Sequence, residues 1–181
     1  MEPQAIRDRL YETFPEAIGE LDVTGKDPFV IVEADRIAAI CQLARDAEGL
    51  EFDYLSNLSA VDAGENLGVV YHLFSLRHKH TLVLKVFVSR QSPHVPTVVG
   101  VWPAANWMER EAWDLMGIVF DGHPDLRRLL LPEGWEGHPL QKDYQEKPDY
   151  KGIPTTRPDM LERFERYDEI KAGNEGEPSD A

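Results

Sequence analysis

The spacing of apolar residues predicts two helices and a hairpin in the first third of the chain. Apolar residues recur every four positions over residues 4–14, as on one face of a helix. Two short apolar runs flank a Gly-Lys-Asp-Pro turn, which predicts strands near 20–24 and 29–33. A second helix is expected over 36–47, where an apolar stripe includes Cys41.

The middle of the chain is rich in β-branched and aromatic residues, which predicts three strands at about 52–60, 69–77 and 81–88. The last two form a hairpin that bends at 78–80. A third helix is expected over 104–116. The order α-β-β-α-β-β-β-α is typical of a two-layer α+β domain with a mixed sheet. We assign this globular domain to residues 1–122.

After residue 122 the pattern changes to short apolar runs between prolines and glycines, with no helical or strand period up to residue 158. Leucines and a tryptophan in these runs are too apolar for a free linker. We therefore expect residues 123–181 to be an extended segment that wraps a partner, with 123–158 ordered only against it. A short helix is expected at 161–170.

Charge and cysteine content exclude several classes of function. The chain has 181 residues with 19 basic and 33 acidic side chains, a net charge of −14, which argues against nucleic acid or an anionic lipid surface as the partner. Its single cysteine, Cys41, forms no intrachain disulfide and cannot hold an iron–sulfur cluster alone. No apolar stretch reaches the roughly 20 residues of a membrane span, and the first residues lack the apolar run of a signal peptide.

The histidines suggest one chemical hypothesis, a metal site. His72, His78 and His80 lie on or beside the predicted hairpin, and His123 and Asp125 could join them. The sequence contains no His-Glu-x-x-His or comparable spacing, so a solvated polar turn is the stronger interpretation. The glycine-rich loops that bind nucleotides are also missing from the sequence.

A dense cluster of charges on the predicted third helix is the second candidate site. It contains Glu109, Arg110, Glu111 and Asp114. Arg110 and Asp114 are four residues apart and can pair on a helix. The cluster is interpreted as an acid–base site of a hydrolase or metalloenzyme, or as a structural ion-pair network. The network is favoured because no nucleophile or binding loop lies nearby, and we expect Glu111 and Arg127 to belong to buried pairs.

The run EREAWDLMGIVFDGHPDLRRLL at 109–130, followed by EGHPLQKDY at 136–144, resembles the signature of one family. That family is the C-type subunit of bacterial NADH–quinone oxidoreductase, the respiratory complex I. The resemblance extends upstream and covers roughly residues 50–145. The signature residues to which we assign an interface or structural role are Glu109, Arg110, Glu111, Asp114, His123, Pro124, Arg127, Arg128, His138, Lys142, Asp143 and Tyr144.

The resemblance implies a subunit without catalytic residues or a redox cofactor of its own. FMN and the iron–sulfur clusters would lie in partner subunits that pass electrons from NADH to quinone. It implies packing against the D-type, quinone-site subunit, and a peripheral location on the cytoplasmic side of the membrane. Hydrogenase-type and ferredoxin-linked complexes contain related subunits, which is one alternative. A free-standing enzyme and a generic acidic adaptor are the others.

Overall fold

The computed structural model describes residues 1–155, which form three α-helices and nine strands within that range. The expected helix at 161–170 lies outside the described residues. The helices and strands, in chain order, are α1 (Pro3–Thr13), β1 (Ile18–Asp22), β2 (Phe29–Val32), α2 (Ile37–Asp46), β3 (Tyr54–Asp62), β4 (Asn66–Phe74), β5 (Thr81–Ser89), β6 (His94–Pro96), α3 (Ala105–Met116), β7 (Val119–Asp121), β8 (Asp149–Tyr150) and β9 (Ile153–Pro154).

The main sheet has five strands in the order β1-β2-β5-β4-β3. Only the central β2–β5 pair is parallel, and the other neighbours are antiparallel, so the sheet is mixed as predicted. Apolar residues from α1, α2 and one face of the sheet form the core, with Ile6, Ile40 and Leu84 fully buried. The predicted α+β fold is confirmed.

Three predicted strands are out of place by two or three residues. β1, expected near 20–24, runs over Ile18–Asp22. β3 begins at Tyr54 and β4 at Asn66, whereas the sequence suggested starts at 52 and 69. The turn before β4 ends early because the Asp62 carboxylate accepts the backbone N–H of Gly64. The β4–β5 connection is correspondingly longer than the predicted bend. It spans residues 75–80 and is closed by hydrogen bonds between the backbones of Ser75, Lys79 and His80.

A second, two-stranded sheet was not predicted. β6 and β7 run parallel and lie on either side of α3 along the chain, with Val95 opposite Phe120. Each strand has three residues, which is too short for an alternating pattern to be recognised. The pair nevertheless joins the chain before α3 to the chain after it, because β6 precedes the helix and β7 follows it.

The compact unit extends to Tyr144, beyond the residue 122 at which the sequence analysis ends the globular domain. Residues 123–144 are held on the domain by hydrogen bonds described below, which corrects the expectation that they order only against a partner. Residues from Gln145 form a separate unit, in which the antiparallel β8–β9 pair is the described secondary structure. Wrapping of a partner by this later part of the chain stays a prediction.

Candidate functional site

The Asp114 carboxylate is the centre of the candidate site. It lies in the last turn of α3 and is fully buried. Its Oδ2 atom accepts three successive backbone N–H groups, from Leu129 at 3.0 Å, Leu130 at 2.8 Å and Leu131 at 2.9 Å. Three converging amides satisfy a buried carboxylate without placing it in water. They also fix the backbone of a segment without regular secondary structure.

Two arginines complete this arrangement. Arg128 Nη1 donates to Asp114 Oδ1 at 2.7 Å, and its Nη2 donates to the carbonyl of Trp135 at 2.7 Å. Arg110 donates to the carbonyls of Arg127 and Arg128 at 3.2 and 3.1 Å. The expected Arg110–Asp114 pair is therefore not formed, because each side chain bonds the segment that crosses over α3.

These bonds lower the pKa of Asp114. Burial by itself would raise the pKa of this carboxyl, but the Leu131 amide, the Arg128 guanidinium and the Leu130 and Leu129 amides lower it overall. The carboxylate is thus charged at neutral pH, and its negative charge is used to hold backbone and guanidinium donors.

Residues 138–141 are held against the C-terminal end of α3. Gly117 ends the helix in a left-handed conformation, with φ of +78°. A Cβ atom at Gly117 would lie 2.6 Å from the His138 ring, so only glycine allows this contact. His138 Nδ1 donates to the Asp114 carbonyl at 3.0 Å, and Gln141 Nε2 donates to the Met116 carbonyl at 2.8 Å. Carbonyls left free at the helix end are satisfied in this way.

A third anchor joins the segment to the main sheet. The backbone N–H of Lys142 donates to Asp62 Oδ2 at 2.8 Å, and Arg90 bridges Asp62 Oδ1 and Asp143 Oδ1. Hydrogen bonds from Lys142, Arg90 and Gly64 hold the pKa of Asp62 well below its usual range. Tyr144 lies against Gly137, where a Cβ atom would be 2.9 Å from its ring. We call residues 123–144 the anchored segment.

Glu109 is a second buried carboxyl, one and a half turns before Asp114, in a different environment. It accepts the Val98 N–H at 2.7 Å and the Thr97 hydroxyl, and no cation lies within hydrogen-bond distance of it among the described residues. Its neighbour His123 is 4.0 Å away and donates instead to the Asn106 carbonyl. Burial, and to a smaller extent the charge of Glu109, raise the pKa values of the Cys41 thiol and the Tyr71 hydroxyl. Burial therefore raises the pKa of Glu109 to about 7, although both hydrogen bonds oppose the shift.

The remaining signature residues lie at the surface. Glu111 is exposed on α3, and the Arg127 side chain, which pairs with Asp125, is 71% exposed. The expectation that Glu111 and Arg127 belong to buried pairs is therefore wrong. Pro124 and Lys142 are also exposed.

The structure brings together only part of the metal hypothesis: the rings of His78 and His80 stack with centroids 5.4 Å apart, but each ring bonds a different partner. His78 bonds Glu51, and His80 donates to the Leu50 carbonyl at 2.8 Å, whereas His123 accepts the Asp125 amide beside α3. Within residues 1–155, no group of three or more His, Cys, Asp or Glu side chains is arranged to hold a metal ion.

A small cavity of about 150 Å³ lies between β3 and α3. Its lining includes Asn57, Ser59, Met108, Glu111 and Leu140. Pockets for small molecules usually have volumes of ~300–1,000 Å³, so this space suits at most a few waters or one side chain. In the described part of the chain, the charges of the candidate site thus anchor its own backbone, and the cavity beside α3 is smaller than a usual substrate pocket.

Sequence reasoning missed Asp62, Arg90 and Thr97. Asp62 and Arg90 lie 80 and about 50 residues from the parts of the anchored segment that they hold, so no local spacing rule connects them. The one signal was the Asp-Ala-Gly turn at Asp62, which indicates an aspartate that bonds backbone amides.

Fold and site define the chain as a structural α+β module, whose buried charges hold its own extended segment in place. Residues 30–150 match the model of the family described as respiratory-chain NADH dehydrogenase, 30 kDa subunit. The chain belongs to this family.

Curated relatives of this chain are C-type subunits of NADH-quinone oxidoreductases. The C-type NADH-quinone oxidoreductase subunit of Chloroherpeton thalassium is 48% identical over 145 residues, which is 78% of this chain and 60% of the relative. The corresponding protein of Acidothermus cellulolyticus is 40% identical over 85% of this chain and 84% of the relative. The match thus spans less than two thirds of the Chloroherpeton protein.

Two solved structures share the fold. A trypsin-resistant fragment of Nqo5 is 26% identical, with a TM-score of 0.55 over 70% of this chain and all of the fragment. A chain of the membrane-bound sulfane sulfur reductase, an archaeal respiratory membrane complex, is 23% identical, with a TM-score of 0.68 over 87% of this chain and 96% of that one. Within residues 1–155, every helix is too short or too polar to cross a bilayer.

Asp114→Asn tests the anchor. The amide keeps the shape of the carboxylate but removes its charge, so Arg128 is left uncompensated and the three leucine amides lose a strong acceptor. Breaking one partner of a buried pair typically costs ~3–5 kcal/mol. We expect a decrease of this order in the free energy of unfolding, with faster hydrogen exchange at Leu129–Leu131. Glu111→Gln, on the exposed face of α3, is the matched control; equal effects of the two substitutions would contradict the assignment.

Glu109→Gln tests the second carboxyl through pH. The folded pKa of about 7 lies above the ordinary value of 4.5, so the stability that Glu109 contributes is present below pH 4.5 and is lost as pH rises through 7. The glutamine variant lacks this loss. We expect its stability relative to the native chain to rise by about 2–3 kcal/mol between pH 5 and pH 8.5 in denaturant titrations. A difference that stays constant with pH would disprove the assignment.

Proposed function

We propose that this chain is a non-catalytic structural subunit of the hydrophilic arm of NADH–quinone oxidoreductase. In that enzyme, electrons pass from NADH through FMN and iron–sulfur clusters to quinone, coupled to proton translocation. Membership of the 30 kDa subunit family supports this proposal. The observation that carries the non-catalytic role is the Asp114 carboxylate, whose hydrogen-bonding capacity is taken by the chain's own amides and by Arg128.

The partner we propose is the D-type, quinone-site subunit, which the anchored segment would contact first. Several large apolar side chains remain exposed on α3 and on this segment, namely Trp107, Leu130 and Leu140. Leu130 projects from the backbone that Asp114 fixes, and Leu140 follows the His138 contact. Exposed apolar groups of this size gain free energy when a partner buries them. The residues after Tyr144 would continue along the same partner.

The redox cofactors would belong to other subunits. Cys41 is fully buried in α2, and burial raises the pKa of its thiol, which disfavours the thiolate that a cluster or metal requires. Attachment to the membrane would be peripheral, on the cytoplasmic side and through partner subunits.

Affinity purification from membranes tests the proposal directly. A tag on this chain should recover the other hydrophilic-arm subunits, the quinone-site subunit among them, and a chaotrope wash should release them together. Flavin and iron–sulfur absorbance should follow the partners and be missing from the chain purified alone. Recovery without respiratory subunits, or one tightly bound flavin or iron per isolated chain, would refute the proposal.

Arg128→Ala separates assembly from catalysis. The variant removes the guanidinium that joins Asp114 to the Trp135 carbonyl and so loosens the anchored segment. We expect the amount of assembled complex to fall several-fold while NADH:quinone turnover per assembled complex stays unchanged. Arg9→Ala, on α1 and outside the anchored segment, is the matched control, because its exposed pair with Glu12 is worth at most ~1 kcal/mol. Normal assembly with lost turnover would instead indicate a catalytic role.

A further inference from the structure

The five-stranded sheet has one face packed on α1 and α2 and a second face that keeps apolar side chains in contact with solvent. Ile31 on β2 is 48% exposed, and Val61 on β3 and Phe87 on β5 are each 37% exposed. We call the surface formed by Phe29, Ile31, Val61, Gly68, Lys85 and Phe87 the open face.

Gly68 makes the apolar part of the open face continuous. It lies between Val61 and Phe87 in the register of three neighbouring strands. A Cβ atom at Gly68 would be 2.8 Å from the Phe87 ring and 2.9 Å from the Val61 side chain. The two side chains can meet across the middle strand because this position carries no side chain.

The other end of the open face has a groove of about 540 Å³, lined by β1 together with Phe29 and Ile31. The Lys85 ammonium lies 3.3 Å from the centre of the Phe29 ring, so this cation rests on the aromatic surface. The groove is concave and partly apolar, which suits an apolar side chain from another protein.

Charge is distributed unevenly around this face. The chain has 33 acidic residues, yet the strands β2, β4 and β5 contain none. The single acidic residue of β3 is Asp62, which is already bonded to Arg90 and Lys142. Acidic side chains lie instead at the margin formed by β1. Glu20 is 93% exposed there and pairs with Arg7 at 3.4 Å, and Asp22 lines the groove and accepts the Thr24 N–H and hydroxyl.

We propose that the open face is a second docking surface, which binds another subunit of the same complex through apolar side chains at its centre and Lys or Arg side chains opposite Glu20 and Asp22. That this partner belongs to the complex rests on the proposed function. An apolar centre with a charged rim is the usual anatomy of a protein interface. The complementary partner is therefore apolar with a basic margin.

The open face could instead bind a second copy of this chain or residues 156–181 of the same chain, and charge argues against both. A second copy of this chain also carries a net charge of −14, so its approach is repelled. Residues 156–181 of the same chain contain four basic and eight acidic residues, which complement an acidic margin poorly.

Site-specific photocrosslinking in the purified complex tests the proposal. Benzoylphenylalanine replaces Phe87, and the control replaces Tyr11, an aromatic residue on α1 that is 41% exposed on the helix layer. We expect irradiation at Phe87 to join the chain to another subunit, through a partner peptide that has Lys or Arg close to the cross-link. An adduct with residues 156–181, an adduct with a second copy, no adduct, or the same partner peptide at equal yield from Tyr11 would overturn the proposal.

Two substitutions add a functional readout. Ile31→Glu places a charge in the apolar centre and should reduce retention of the chain in the salt-washed complex about tenfold, and Glu20→Lys should reduce it several-fold. Thermal unfolding of the purified chain checks that both variants fold. Full retention of both folded variants would overturn the open-face proposal while leaving the proposed function intact; a native chain that fails to co-purify with respiratory subunits would instead defeat the proposed function.

Discussion

The last part of the domain, the anchored segment, depends on one buried carboxylate. Asp114 collects three amides from Leu129–Leu131 and one guanidinium from Arg128, and these four bonds replace the ladder that a strand or helix would otherwise provide. A segment rich in proline and glycine has few regular backbone partners, so a charged acceptor that bonds several amides at once is an efficient substitute. Removing that acceptor would leave the three amides and the arginine without a partner at the same time.

Two carboxyls on the same helix show how environment decides protonation. Asp114 has donors on both oxygens, including a cation, and its pKa falls below the ordinary value. Glu109 has two neutral donors, and burial raises its pKa to about 7. The first stabilises the fold as an anion, whereas the second costs stability when it ionises, by about 3 kcal/mol at high pH. Both residues belong to the family signature, yet their energetic contributions have opposite signs.

Elements with long apolar periods were predictable from the sequence, and those fixed by distant contacts were not. α1, α2, α3 and the β1–β2 hairpin follow from periodicity and turn residues. The three-residue strands β6 and β7 are too short to show a period. The pairing of Arg110 with Asp114 was inferred from their spacing, but each side chain finds partners 14–18 residues away. The roles of Asp62 and Arg90 were not predictable for the same reason, because they depend on where residues 142 and 143 return to the sheet.

Internal anchoring also has a consequence for assembly. Fixing the backbone of one residue costs ~1–2 kcal/mol of conformational entropy, and a segment that orders only on binding subtracts that cost from its affinity. Because Asp114, His138 and Asp62 hold residues 123–144 on their own domain, this cost is met when the domain folds. The exposed Leu130 and Leu140 are then presented on a backbone that is already in place, so the free energy of burying them goes into the affinity for the partner. In the proposed complex, the signature residues would thus contribute to assembly by preparing a surface, even where their own side chains are buried away from it.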